Sequence, residues 1–260
     1  MNILDRIIET KKSEIAERTA KRNFGDIYKE ALSVRRPVLS FSDAIKNSET
    51  GIIAEFKRRS PSKGDINAAV SLEKVVKGYA DNGAAAISVL TDEQYFGGSP
   101  DDLKEAREIV NIPLLRKDFI IDPYQICEAR IYGADAVLLI AAALEPEQIE
   151  GLASFAHGFG MEVLLEIHNR NELSKIIDSI DVVGVNNRNL GTFVTNTSVS
   201  LRLADMIPPG FVKISESGIS SPEKALELRN AGYQGFLMGE AFMKEADPAE
   251  ALAGFIKGMK

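Results

Sequence analysis

Glu55 and Lys57 stand two residues apart at the end of a short apolar run that begins at Ile52. In a strand that spacing puts a carboxylate and an ammonium on one face. Charges at the end of a buried strand are costly unless they are paired or used. The pair therefore reads as a working edge rather than as scaffold. The segment behind it, Arg58-Arg59-Ser60-Pro61-Ser62-Lys63-Gly64, mixes cations with Ser and Gly and suits an anion. Further polar residues follow other apolar runs: Ser88, Lys117, Glu166, Asn186-Asn-Arg188, Glu216-Ser217-Gly218 and Gly239-Glu240. Lysines, carboxylates and an amide on one surface are the equipment of acid–base chemistry on an anionic substrate.

The elements that would bring them together alternate in the sequence. Apolar runs lie at Ile52–Phe56, Ala85–Leu90, Ile112–Leu115, Ala136–Ile140, Val163–Ile167, Val182–Val185, Phe211–Ile214 and Gly235–Met238. Helical spacing appears between them, as at Leu72–Tyr79, Leu103–Val110, Gln148–Phe155 and Ala225–Ala231. Gly83, Gly133 and Gly232 suit left-handed helix ends, and Pro123, Pro146 and Pro222 suit helix starts. This pattern predicts an α/β fold with a parallel sheet. A doubly wound sheet usually shows a Gly-rich fingerprint after its first strand, and none is present. Eight units over ~210 residues instead predict a single (β/α)8 TIM barrel over 49–260, preceded by a helical extension over 1–48. In that extension Ile3, Leu4, Ile7, Ile8 and Ile15 form a stripe, and Ser40 suits the cap of a short helix. The extension either packs on the barrel surface or covers one end and helps enclose a ligand.

Bulk composition narrows the class. With 260 residues, one Cys and no Trp, the chain is not a disulfide scaffold, and Cys127 reads as a buried structural thiol. A net charge of −7 disfavours a general nucleic-acid or membrane surface. Cations nevertheless gather at Lys57-Arg58-Arg59, Lys63 and Arg116-Lys117, so a local anion site is expected. No apolar run approaches the ~18 residues of a membrane span, and the charged N-terminus is unlike a signal peptide. A cytoplasmic protein is expected, with a monomer as a plausible state.

In such barrels the active site lies at the C-terminal ends of the strands, where all the polar residues above fall. Each has a plainer reading: Glu166 as a lysine's partner, Lys57 and Lys117 as solvated surface residues, Asn186 as turn chemistry. His157 and His168 lack a nucleophile partner and a zinc-like spacing, and read as non-catalytic. Ser217-Gly218 and Gly239-Glu240 follow the seventh and eighth strands, where barrels commonly bind phosphate.

Seven motifs in this order are similar to those of the indole-3-glycerol phosphate synthase family. They are Ile53-Ala-Glu-Phe-Lys-Arg-Arg-Ser-Pro-Ser62, Ser88-Val-Leu-Thr-Asp-Glu-Gln-Tyr-Phe-Gly-Gly-Ser99, Leu115-Arg-Lys-Asp-Phe119, Leu164-Leu-Glu166, Val185-Asn-Asn-Arg-Asn-Leu190, Ser215-Glu-Ser-Gly-Ile219 and Phe236-Leu-Met-Gly-Glu240. The resemblance covers essentially the whole chain. It implies a phosphorylated small-molecule substrate, 1-(2-carboxyphenylamino)-1-deoxyribulose 5-phosphate, closed to indole-3-glycerol phosphate with loss of CO2 and water. It implies no cofactor and no metal. By the same resemblance Lys117 is the general acid and Glu166 the second acid/base. Lys57 holds the substrate carboxylate, with or without a share in Lys117's acid role, while Glu55 and Asn186 orient groups. Ser60, Ser88, Arg188, Glu216, Ser217, Gly218, Gly239 and Glu240 would contact substrate, mostly at its phosphate. Phe96, Phe119 and Leu138 would line the pocket of the anthranilate ring. Some relatives have Ser where Glu240 stands, so backbone N–H is expected to bind there while the side chain turns away. Two rivals stay open: another phosphosugar enzyme, such as a Schiff-base aldolase using Lys117, and a non-catalytic ligand-binding barrel.

Overall fold

A computed structural model describes residues 3–61, 63–67 and 70–260. Ser62 of the basic loop and the opening Met1-Asn2 lie outside the described residues. Among the described residues the apolar runs form eight barrel strands: β1 (Ile52–Phe56), β2 (Ala86–Leu90), β3 (Leu114–Lys117), β4 (Ala136–Ile140), β5 (Glu162–Ile167), β6 (Val182–Asn186), β7 (Val212–Glu216) and β8 (Gly235–Met238). Each pairs in parallel with the next, and β8 closes on β1. The result is the (β/α)8 barrel that the alternation predicts.

Two strand boundaries differ instructively. β3 starts at Leu114 rather than Ile112, because Pro113 has no N–H to give the ladder and only its carbonyl pairs, with Ile87 N. β7 runs on to Glu216 rather than stopping at Ile214. Apolar content marks only part of a buried strand, since the ladder continues through Ser215 and Glu216, which are buried as well.

Helices α1 (Ile3–Lys21), α2 (Phe24–Ser33) and α3 (Phe41–Asn47) precede β1. Ser40 caps α3 by accepting a hydrogen bond from Asp43 N at 3.1 Å. The outer layer is α4 (Leu72–Asp81), α5 (Pro100–Ile109), α6 (Pro123–Tyr132), α7 (Pro146–His157), α8 (Ser198–Leu203), α9 (Pro222–Asn230), α10 (Glu240–Met243) and α11 (Pro248–Met259). α5 begins before the expected Leu103, since Pro-Asp-Asp fills a first turn without apolar residues and Ser99 caps it. Gly83, Gly133 and Gly232 take φ of +91°, +92° and +93°, the left-handed conformation expected after a helix.

The two faces of the sheet form separate cores. Outward residues such as Ile52, Val89, Leu139 and Leu165 pack against the helices. Inward residues such as Ile53, Leu115, Leu164 and Ile214 fill the barrel, with Phe41 and Ile45 of α3 plugging its N-terminal end. That filled interior is a floor on which the polar C-terminal ends of the strands stand. Among the described residues no helix is long and apolar enough to cross a membrane.

Candidate active site

Strand alternation aims Glu55, Lys117, Glu166, Asn186 and Glu216 into the mouth above that floor. Lys117 Nζ donates to Glu216 Oε2 at 2.6 Å and to Glu166 Oε2 at 3.2 Å. Lys57 pairs with Glu55. Neighbouring registers bring Asn186 beside Glu216 and Glu55 beside Ser88. Two glycines make room for this crowd. A Cβ at Gly184 would overlap the Glu216 carboxylate, and one at Gly239 would overlap Glu55.

The charges set each other's protonation. Burial alone would lower the Lys117 pKa, but Glu216, Glu166 and Glu55 raise it above the ordinary lysine value. Burial would raise Glu166, yet Lys117, His168 and Asn186 pull it below the ordinary carboxylate range. Glu216 is the odd carboxylate: burial and the charge of Glu166 outweigh Lys117 and push it up to about 7. Two carboxylates around one ammonium thus leave one ionised and one poised near neutrality.

A cavity of about 1060 Å³ opens above these groups. Of the residues singled out from sequence, Glu55, Lys57, Ser60, Phe96, Lys117, Phe119, Leu138, Glu166, Asn186, Arg188, Glu216, Ser217, Gly218, Gly239 and Glu240 all line it. Phe96 and Phe119 form an aromatic wall, their ring centroids 5.9 Å apart. Ser217 has φ +64° and Gly218 +75°. Asn187 holds that left-handed turn by donating to Glu216 O at 2.9 Å and Ser217 O at 3.1 Å, while its Oδ1 accepts from Ser200 N of α8 at 3.0 Å. Of the adjacent asparagines, then, Asn186 faces the cavity and Asn187 supports the turn.

Ser88 does not reach the cavity. It is fully buried beside Glu55 on the neighbouring strand and does not line the cavity. The expected cluster of cations is also thinner than the sequence implies. Arg116 points to the opposite face from Lys117 and is held by Asp118 at 3.1 Å and Glu128 at 3.2 Å. Arg58 is bound by Asp102, and Arg59 donates to the carbonyls of Glu93 and Gln94. For Arg116 the reason is period-two alternation, which sends adjacent residues of a strand to opposite faces. Among the described residues Lys57, Lys63, Lys117, Arg188 and Lys244 are the cations that line the cavity.

Two supporting residues escape the sequence reading. His157 is half-exposed beside Asp181, but His168 is buried with Nε2 3.2 Å from Glu166 Oε1 and Nδ1 3.5 Å from Glu172. Burial opposes its protonation, and the two carboxylates still raise it to about 10. Only the fold reveals that contact. Lys11, by contrast, left a signal: it lies midway between Ile7 and Ile15 on the core-facing stripe. It is 1% exposed and pairs with Asp92 at 2.8 Å and Asp118 at 3.2 Å, tying α1 to the loops after β2 and β3. Leu4 and Ile7 meanwhile contribute to the cavity wall, so α1 lies over the mouth. Cys127 is buried in α6, where burial, Glu128 and Asp122 push its thiol up to about 11, unsuited to a nucleophile.

The fold and this site define a (β/α)8-barrel protein with an enzyme-like acid–base mouth. Residues 4–255 match the sequence model of the family described as indole-3-glycerol phosphate synthase. The chain is 48% identical to the indole-3-glycerol phosphate synthase of Bacteroides thetaiotaomicron, covering 100% of this chain and 99% of that one. It is 44% identical to the protein of that name from Carboxydothermus hydrogenoformans (96% and 97% covered) and 43% identical to that from Bordetella pertussis (98% and 99%). The chain belongs to the indole-3-glycerol phosphate synthase family.

Proposed function

We infer that the chain converts 1-(2-carboxyphenylamino)-1-deoxyribulose 5-phosphate to indole-3-glycerol phosphate, CO2 and water, a carboxy-lyase step of tryptophan biosynthesis. The observation that carries this reading is the placement of Lys117. Its ammonium sits between Glu166 and Glu216, in the cavity that Phe96, Phe119 and the turn at Ser217-Gly218 also line. Substrate, with an aromatic acid at one end and a phosphate at the other, spans that cavity with its ketone over Lys117.

The geometry supports a division of labour. Phe96, Phe119 and Leu138 hold the ring, and Lys57 meets its carboxylate. Confinement brings the ring carbon to the ketone, which removes much of the entropic part of the barrier. Lys117 donates a proton as negative charge develops on the ketone oxygen. Loss of CO2 from the closed ring leaves electrons that restore aromatic bonding. The remaining hydroxyl then takes a proton from Lys57, which shares the acid role, and departs as water, while the Glu166 carboxylate removes the proton from the ring carbon beside the nitrogen. Glu55 and Asn186 orient the lysine and the hydroxyls. Ser60, Arg188, Gly218 and Gly239 surround the phosphate. On this reading α1 of the extension over 1–48 closes over the mouth of barrel 49–260, and the enzyme works in the cytoplasm.

The aldolase rival requires a neutral, nucleophilic amine. Two carboxylates keep Lys117 cationic, which favours proton donation over Schiff-base formation. The direct test adds the carboxyphenylamino substrate to purified protein and follows indole fluorescence. Product at catalytic rates is expected; its absence, or a borohydride-trapped adduct at Lys117, sinks the reading.

A further inference from the structure

Glu240 stands at the wall where an anion is expected, and it is itself an anion. It opens α10 directly after Gly239, near the Ser217-Gly218 turn. Two cations from different loops share its oxygens. Oε2 accepts a hydrogen bond from Arg188 at 3.1 Å, and Oε1 lies 3.6 Å from Lys63 Nζ. Burial works against its charge, but Arg188, Lys63 and Lys57 together hold its carboxyl below the ordinary range. The side chain is not locked in. Glu240 is 38% exposed and Lys63 58%, so the contacts can exchange without disturbing the core. Guanidinium and ammonium groups bind carboxylate and phosphate by the same charge-assisted hydrogen bonds.

We propose that Glu240 is a resident stand-in for the substrate phosphate, holding Arg188 and Lys63 at the mouth until a phosphate ester displaces it. The proposal rests on the reading that phosphate binds at this wall. In the free protein the carboxylate neutralises one of the two cations. In the complex it must swing toward solvent, because a carboxylate and a phosphate dianion on the same cations repel. That repulsion exceeds what a half-exposed ion pair contributes by holding its partners in place. Glu240 thereby sets how tightly phosphate is held and how readily a phosphorylated product leaves.

The test compares the parent, Glu240→Gln and Ser217→Asp, using inorganic phosphate as a competitive inhibitor together with KM for the phosphorylated substrate. Glu240→Gln keeps the shape and removes the charge. It is expected to lower both the phosphate inhibition constant and KM roughly fivefold. Constants that stay the same or rise overturn the proposal, since the carboxylate is then a bystander or supports the cations in the complex. Ser217→Asp separates the two layers of the argument. If it weakens phosphate while Glu240→Gln fails to tighten it, the displacement alone is wrong. If it leaves phosphate inhibition and KM unchanged, the phosphate does not bind at this wall, and both the site reading and the proposal fall.

Discussion

At the N-terminal end of the barrel, Asp135 is enclosed by Arg36 at 2.7 Å, Arg107 at 2.8 Å and the N–H groups of Leu39 and Leu114, each at 2.9 Å. Glu162 is held there likewise, by Ser40 Oγ at 2.7 Å and Ser42 N at 2.6 Å. At the C-terminal end two buried carboxylates, Glu166 and Glu216, share the ammonium of Lys117. The residue types are the same, but the arithmetic differs. A carboxylate whose lone pairs are filled by fixed donors has one useful state, and it pins the loop from residue 36 to 42 beneath the sheet. Carboxylates that share one cation are split: Glu166 is held ionised, whereas burial and the charge of Glu166 push Glu216 up to about 7, where a proton can come and go. The barrel keeps saturated charges beneath the sheet and a shared cation among carboxylates at the cavity.

The largest break in this comparison comes from Lys117→Ala. Turnover is expected to fall by about 10³-fold or more, with the circular-dichroism spectrum unchanged. A rate near that of the parent would remove Lys117 from the acid role. Glu166→Gln is expected to slow turnover by about 10²-fold. If a ring-closed species builds up in rapid-quench samples, its proton uptake belongs to the late dehydration; without such a species the role moves to ring closure.

Asp135→Asn addresses the other end. It removes the charge of a fully buried carboxylate that two partly buried guanidiniums share, and is expected to destabilise the fold by about 3 kcal/mol, read as a lower denaturation midpoint. The folded protein should retain most of its kcat, and a large loss of kcat would mean that the two ends are coupled.

The smallest effect concerns Glu216, whose pKa is pushed up to about 7. A carboxyl raised in the folded state binds its proton more tightly there than in the unfolded chain. Its ionisation therefore subtracts stability, with no loss below the unfolded value and the full loss above the folded one. Replacement by Gln removes that loss. The melting temperature of Glu216→Gln minus that of the parent should rise by about 5 °C between pH 5 and pH 8. A difference that is flat or falls with pH would place Glu216 among the saturated carboxylates.

Particular residues show how much was legible beforehand. The strands were readable because an all-parallel sheet buried on both faces demands apolar runs. Lys57, Lys117 and Glu166 were readable because charge at the end of such a run has few structural uses. Ser88 misleads, since the cavity is lined by Leu90, the next residue of β2 on the same face, and composition does not report depth. Arg116 misleads because neighbours in sequence occupy opposite faces. His168 was invisible, since its meaning depends on Glu166 two residues earlier and on how the chain turns after β5.

The linear order of residues settled the eightfold alternation, the capped helix ends and the chemical types available at each strand terminus, because all of these follow from local periodicity and backbone preference. Barrel closure decided the rest. It set which carboxylates share Lys117, which arginines turn outward and which helix covers the mouth. Those outcomes depend on distances between residues far apart in the chain, which strand register and packing alone determine.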